Sequence, residues 1–184
     1  MEDQTGSPVV GFRAPSFSIS PGREWAFDIL LEEGYRYDSS VFPIRRPNYG
    51  FPGAPRVPYL INRPAGVLLE LPLATTRFVG MTIPAAGGGY LRHLPFAITR
   101  RAFHEYRRAS KPGMFYVHPW EIDPDQPRLP VGWITRRRHY AGLGRTWHLL
   151  DRLLGEFKFT SVAQYYGINS QSSENQPWPP ALSA

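Results

Sequence analysis

Apolar residues first cluster at Val9-Val10-Gly11-Phe12, a run that reads as a short buried strand. Ser20 is then placed to cap a helix with Pro21 at its first position and Gly34 at its end. Within it Trp25, Ala26, Ile29 and Leu30 recur at spacings of three and four, which predicts one buried face. Tyr35 to Asp38 begins the next strand. Val67-Leu68-Leu69-Glu70-Leu71 is almost continuously apolar, the mark of a strand covered on both sides, and Glu70 interrupts it. Ile98 to Arg108 alternates as a helix, with Phe103 and Tyr106 inward and Arg100, Arg101, Arg107 and Arg108 outward. Met114-Phe115-Tyr116-Val117 predicts a further buried strand ending at His118-Pro119-Trp120. Trp147, Leu150, Leu153 and Leu154 outline a last amphipathic helix, followed by a strand over Phe157 to Val162. Trp25, Phe27 and Trp147 are read as core.

Strands alternating with helices predict an α/β fold with a mainly parallel sheet, in which chemical groups gather at the carboxyl edge of the strands. Arg13 follows the first strand and His118 the penultimate one, so both are expected at one cleft. From Phe42 to Pro64 there are six prolines and two glycines, which predicts an irregular insertion over about 42–64. Residues 1–168 form the expected domain. Residues 169–184, rich in Ser, Gln, Asn and Pro, are expected to be a disordered tail.

Composition sharpens this picture. A chain of 184 residues, 42% apolar and 20% charged, suits one domain, while 20 prolines and 17 glycines exclude a compact helical bundle. No run of 18 apolar residues exists, so no membrane span is expected, and the opening Met1-Glu2-Asp3-Gln4 is unlike a signal peptide. Cysteine is absent, which excludes disulfides and thiolate metal sites. The net charge of +6 comes almost wholly from arginine, a residue that suits carboxylates, phosphates and sugar hydroxyls. The basic residues are scattered apart from Arg136-Arg137-Arg138, read as a solvated run with anionic glycan contact as the minority reading. Nucleic acid is not an expected partner, because no helix carries a basic stripe interleaved with aromatics.

Gly11-Phe12-Arg13-Ala14-Pro15-Ser16-Phe17 and Phe115-Tyr116-Val117-His118-Pro119-Trp120-Glu121-Ile122-Asp123 resemble the polysaccharide deacetylase family, specifically its bacterial exopolysaccharide-biosynthesis (exosortase-associated) subgroup. Tyr37-Asp38-Ser39-Ser40-Val41-Phe42-Pro43, Leu69-Glu70-Leu71-Pro72, Gly87-Gly88-Gly89-Tyr90 and Arg138-His139-Tyr140 look like that subgroup in the same order. The resemblance implies a distorted (β/α) barrel and metal-dependent hydrolysis of N-acetyl groups on a polysaccharide. It implies that His118 is the general acid and that Arg13 orients the catalytic-base aspartate. An imidazole suits the first role because it titrates near neutrality. Glu70, on the strand where the family places an aspartate, is the candidate partner for the His118 ring. Trp120, Tyr116, Pro15 and Tyr90 are the residues expected to bind the glycan, Trp120 as an apolar wall or stacking surface.

The family's Asp-Asp pair and His-x-x-x-His pair have no counterpart here. His93, His104, His118, His139 and His148 include no pair at metal-ligand spacing. The family's cofactor is a divalent metal such as zinc; none is expected in this chain alone. The expectation is therefore a partial barrel lacking its amino-terminal strands, inactive by itself and completed by that missing segment as a partner. The competing expectation is a non-catalytic glycan-binding or complex-stabilising remnant. By resemblance the compartment is the bacterial cytoplasm.

Overall fold

The computed structural model describes residues 6, 8–47, 49–168, 178–180 and 182. It is a mixed α/β structure. Strand β1 (Gly11–Phe12) pairs in parallel with β2 (Tyr37–Asp38), which pairs in parallel with β4 (Gly66–Glu70). The other edge of β4 carries an antiparallel strand, β3 (Tyr59–Arg63), giving the order β1-β2-β4-β3. A separate hairpin joins β5 (Thr75–Phe78) to β6 (Met81–Pro84). No closed barrel is present among the described residues.

Helix α1 (Trp25–Glu32) lies between β1 and β2. It starts later than the predicted cap at Ser20, since Arg23 and Ala26 first close turns on the Ser20 and Arg23 carbonyls. Its buried side chains are Phe27 and Leu30; Trp25 and Ile29 are exposed. Phe27 and Leu30 join Ala14, Ile19, Val41 and Leu68 in one core cluster.

Four further helices precede the chain's last turn: α2 (Gly88–His93), α3 (Phe96–Arg108), α4 (Trp133–Tyr140) and α5 (Leu143–Glu156). Phe103 and Tyr106 of α3 are buried and its four named arginines exposed, as the periodicity predicts. They pack with Phe42, Ile44, Leu73, Leu153 and Phe157 in a second cluster. Trp147 of α5 is 62% exposed, so of the three core candidates Trp25, Phe27 and Trp147 only Phe27 belongs to the core.

Three predicted elements differ. The Pro-rich stretch is not wholly irregular: β3 fits between Pro58 and Pro64 as an edge strand, a position that lets prolines stand at both ends. Met114 to Val117 is not a strand. Met114 makes a single parallel bridge to Leu73, and the neighbouring chain then leaves to form the β5–β6 hairpin, so residues 115–117 have no ladder partner. Phe157 to Val162 is no strand either, because the Ser161 side chain accepts the Gln164 N–H at 3.1 Å and starts α6 (Val162–Tyr166). The predicted tail lies mostly outside the described residues; within it Trp178 donates from its indole to the Val67 carbonyl at 3.1 Å and lies under Arg36.

Candidate functional site

The three parallel strands end side by side at Phe12, Asp38 and Glu70, so the residues that follow share one carboxyl edge. Arg13 leaves β1 there. Its Nε donates to the Ser39 carbonyl at 3.0 Å and its Nη2 to Ser39 Oγ at 2.8 Å. Ser39 Oγ donates in turn to the Leu71 carbonyl at 2.7 Å, tying the arginine to β4's end. The next residue is held by the next serine: the Ala14 N–H donates to Ser40 Oγ at 2.7 Å, and Ser40 Oγ donates to Asp38 Oδ1 at 2.6 Å. The Arg13-Ala14 and Asp38-Ser39-Ser40 motifs are thus two halves of one hydrogen-bonded corner.

A buried carboxyl pair lies beneath it. Asp38 and Glu70 are register partners on adjacent parallel strands and both are fully buried. Glu70 Oε1 accepts the Val41 N–H at 3.1 Å, while Oε2 has no donor within reach. Burial, and next the Asp38 charge, hold the Glu70 carboxyl well above its ordinary range, and its hydrogen bonding with Asp38 acts in the same direction. Burial pushes Asp38 upward too, opposed by the hydrogen bonds from Glu70 and Ser40. Tyr59, opposite Glu70 on β3, is pushed upward by burial and by the two acids. For Arg13 burial works against the charge, while Asp38 and Glu70 favour it.

After Arg13, Pro15 opens a short 3₁₀ turn, Pro15–Phe17, in which Ser16 (φ 56°) and Phe17 (φ 52°) occupy the left-handed region. Such conformations cost about 1–2 kcal/mol per residue. Here Phe17 offsets the strain by packing against Phe42, Tyr49 and Tyr116 at ring distances of 5.5, 6.3 and 5.3 Å.

Tyr116 links the Arg13 corner to the His118 turn. The Arg13 guanidinium carbon lies 5.4 Å from the Tyr116 ring centre, and the His118 ring lies 5.4 Å from it, edge to face. Burial pushes the Tyr116 hydroxyl up to about 12. His118 is exposed and stacks nearly parallel to Trp120, which stacks in turn on His139 at 4.2 Å. Its backbone is clamped: the His118 N–H donates to Glu121 Oε2 at 3.0 Å, and Glu121 Oε1 meets Arg92 Nη1 at 2.5 Å. Both members of that pair are 3% exposed. Arg92 Nη2 reaches the Arg138 and His139 carbonyls at 3.2 Å, so α2, the 3₁₀ turn Pro119–Ile122 and α4 meet on one guanidinium.

The triple glycine packs against this clamp. A Cβ on Gly87, which has φ 100°, would stand 2.7 Å from the Tyr116 ring, and one on Gly88 would fall within 3.0 Å of the whole Glu121 carboxyl. Only glycines allow that approach. Tyr90 of α2 shares a 2.6 Å hydroxyl contact with Tyr49 and stands edge-on to Phe42 beneath Arg46.

Of the residues singled out from sequence, Arg13, Tyr116, His118 and Trp120 form one chain of ring and guanidinium contacts. Pro15 is exposed beside Arg13, and Tyr90 joins the aromatic cluster through Phe42 and Tyr49. Glu70 does not meet the His118 ring; its contacts run to Asp38 and Val41, and the carboxylate at His118 is Glu121, bound to its backbone. Sequence reasoning missed Asp38, Arg92, Glu121 and His139. Their signal was weak because an ion pair between residues 29 positions apart has no local pattern.

The divalent metal implied by the resemblance does not fit the residues present. Among the described residues no three His, Asp or Glu side chains gather as a metal site, and the Asp38–Glu70 carboxyl pair is sealed from solvent. The family described as a domain of unknown function, DUF3473, matches residues 39–167. No curated protein and no solved structure matches the chain.

Proposed function

The chain belongs to the DUF3473 family, and from that premise we propose that it is the carboxyl-terminal part of a polysaccharide deacetylase, a partial (β/α) barrel that hydrolyses N-acetyl amides on a bacterial exopolysaccharide. The observation that carries this reading is the Tyr116 ring, in contact with both Arg13 and His118, each at 5.4 Å. Two motifs far apart in the sequence, one at the carboxyl edge of the parallel strands, meet at one aromatic side chain.

In this reading His118 protonates the departing amine nitrogen as the acetyl C–N bond breaks. The residue is exposed and its ring contacts Tyr116 edge to face and Trp120 nearly in parallel, so it can reach a bound sugar while keeping its orientation. Glu121 and Arg92 act at one remove, fixing the backbone from which that ring projects. Arg13, immobilised by Ser39, presents a cation beside Tyr116, and Trp120, Tyr116, Pro15 and Tyr90 offer apolar surface to the glycan. Activation of the attacking water falls to groups outside the described residues, on the barrel strands expected to complete the fold.

A second reading, a glycan-binding remnant without catalysis, is favoured by the lack of a metal-holding cluster among the described residues. The test is to join the chain, by fusion or co-expression, to the metal-bearing amino-terminal half of a polysaccharide deacetylase and measure acetate release from N-acetylated oligosaccharides. The expected outcome is turnover that falls by about two to four orders of magnitude in His118→Ala at unchanged metal content. Full activity in that variant removes the general-acid role. Restored metal and retained oligosaccharide binding without acetate release favour the second reading.

A further inference from the structure

The segment between the His118 turn and α4 places its apolar residues outward. Leu129, Trp133 and Ile134 are 64%, 72% and 66% exposed, and Val131 is also exposed. They follow one another closely enough to form one patch, which a chain with nothing to bury it against would not normally keep. The patch is built rather than loose. The Leu129 N–H donates to the Tyr140 hydroxyl at 3.0 Å, the Val131 N–H closes a turn on the Leu129 carbonyl at 2.9 Å, and Arg128 lies over the Tyr140 ring at 4.5 Å.

Basic groups stand directly behind it. Arg137 follows Trp133 by four residues and Arg138 follows Ile134 by four, so each arginine shares a helical face with an exposed apolar side chain one turn ahead. Arg136, Arg137 and Arg138 are all exposed, and none of their guanidinium groups has a hydrogen-bond or ion-pair partner among the described residues. No helix of the described structure is long and apolar enough to cross a membrane, but this arrangement does not need to cross one.

From the apolar tip with unpaired arginines one turn behind it, we infer that the Leu129–Ile134 tip and Arg136 to Arg138 dock on an anionic phospholipid surface. Trp133 and Ile134 enter the headgroup boundary, where an indole is suited to the junction of apolar and wet surroundings. The arginines extend back to the phosphates. A purely polyanionic partner would use the arginines and leave four exposed apolar side chains unexplained. A purely apolar partner would have to desolvate three unpaired cations. The opposite side of α4 carries His139, stacked on Trp120, so the docking surface and the candidate site share one helix.

The test is sedimentation of the full chain with vesicles of phosphatidylglycerol mixed into phosphatidylcholine, against phosphatidylcholine alone. Association is expected with the first and not the second, and it should weaken with added salt. Trp133→Ala combined with Ile134→Ser should reduce it by about tenfold or more, and Arg137→Gln or Arg138→Gln by about fivefold each. All four positions are exposed, and melting curves matching the parent verify the variants' folding. Equal binding to both vesicle types overturns the inference, as does no binding to either. Binding that survives the Trp133 and Ile134 changes but is displaced by a soluble anionic polysaccharide also overturns it, assigning the arginines to a polyanion instead.

Discussion

Glu70 is the residue whose chemistry departs furthest from its sequence neighbours: a carboxyl with no exposure, one backbone donor and a second carboxyl beside it. Its folded-state value is raised above the ordinary 4.5, so between pH 4.5 and that raised value the native chain holds a proton that the unfolded chain releases. The contribution is therefore full below about pH 4.5 and is lost as pH rises through the folded value, with a slope of at most about 1.4 kcal/mol per pH unit for this proton. Urea midpoints should fall with rising pH across that interval in the parent chain. In Glu70→Gln, which keeps a donor toward Asp38 without titrating, the decline should be shallower. An unchanged slope would place the pH response elsewhere. Gly88 offers a steric counterpart. Gly88→Ala should destabilise by about 1–3 kcal/mol, because the new methyl meets the buried Glu121 carboxyl, which cannot yield without releasing Arg92. Gly144 and Gly155 of α5 have open space at Cβ, so alanine there should stabilise by a few tenths to about 1 kcal/mol in the same denaturation assay. Legibility at this scale followed chemistry. Arg13 and His118 could be singled out because each follows an apolar, strand-like run and lies in a motif that resembles the polysaccharide deacetylase family, whereas Arg92 and Glu121 look like any surface charges until the fold buries them together.

At the scale of elements, the Arg92–Glu121 pair does what a hydrophobic contact would do elsewhere, joining α2, the turn after His118 and the end of α4. Removing one partner strands a buried charge, so Glu121→Gln should cost about 3–5 kcal/mol, while Arg92→Met combined with Glu121→Leu should recover much of that loss. Denaturant titration of the two variants checks both, and a single variant as stable as the parent would mean that solvent reaches the pair. The elements that sequence reasoning found are those with a pattern of their own, the helical periodicity of α3 and the continuous apolar run of β4 above all. Those it misread were decided by neighbours. Residues 115–117 have strand character but no partner strand, β3 is ordered only because β4 offers an edge, and α6 depends on one serine cap inside a β-like sequence. Outward-facing Trp25 and Trp147 show the same limit, since helical spacing identifies a stripe without saying which side of the helix meets the sheet.

For the whole molecule, the two core clusters raise a question of cooperativity. One gathers Phe27, Leu30, Val41 and Leu68 around α1 and the parallel strands; the other gathers Phe42, Leu73, Phe103 and Leu153 beneath α3 and α5. They meet in the covalent chain at Val41 and Phe42, both fully buried, one in each cluster. A further link is Leu71: its N–H donates to the Asp38 carbonyl at 2.8 Å and its carbonyl accepts Ser39 Oγ, just before the chain enters the second cluster at Leu73. Neither cluster can lose its packing without releasing these shared residues, so the two should unfold as one unit. Leu68 and Leu153 are both fully buried, and truncation to alanine at either should cost about 2–5 kcal/mol through lost transfer energy and the cavity left behind. The informative readout is the shape of the transition. Far-UV circular dichroism and tryptophan fluorescence should give one coincident urea transition for the parent, and each leucine variant should shift that whole transition to lower denaturant with an unchanged slope. If Leu68→Ala instead splits the curve, leaving a second step at the parent midpoint, the parallel-strand corner that holds Arg13 is a separate folding unit from the helices that hold His118, and the contact both make with Tyr116 joins two units rather than two edges of one.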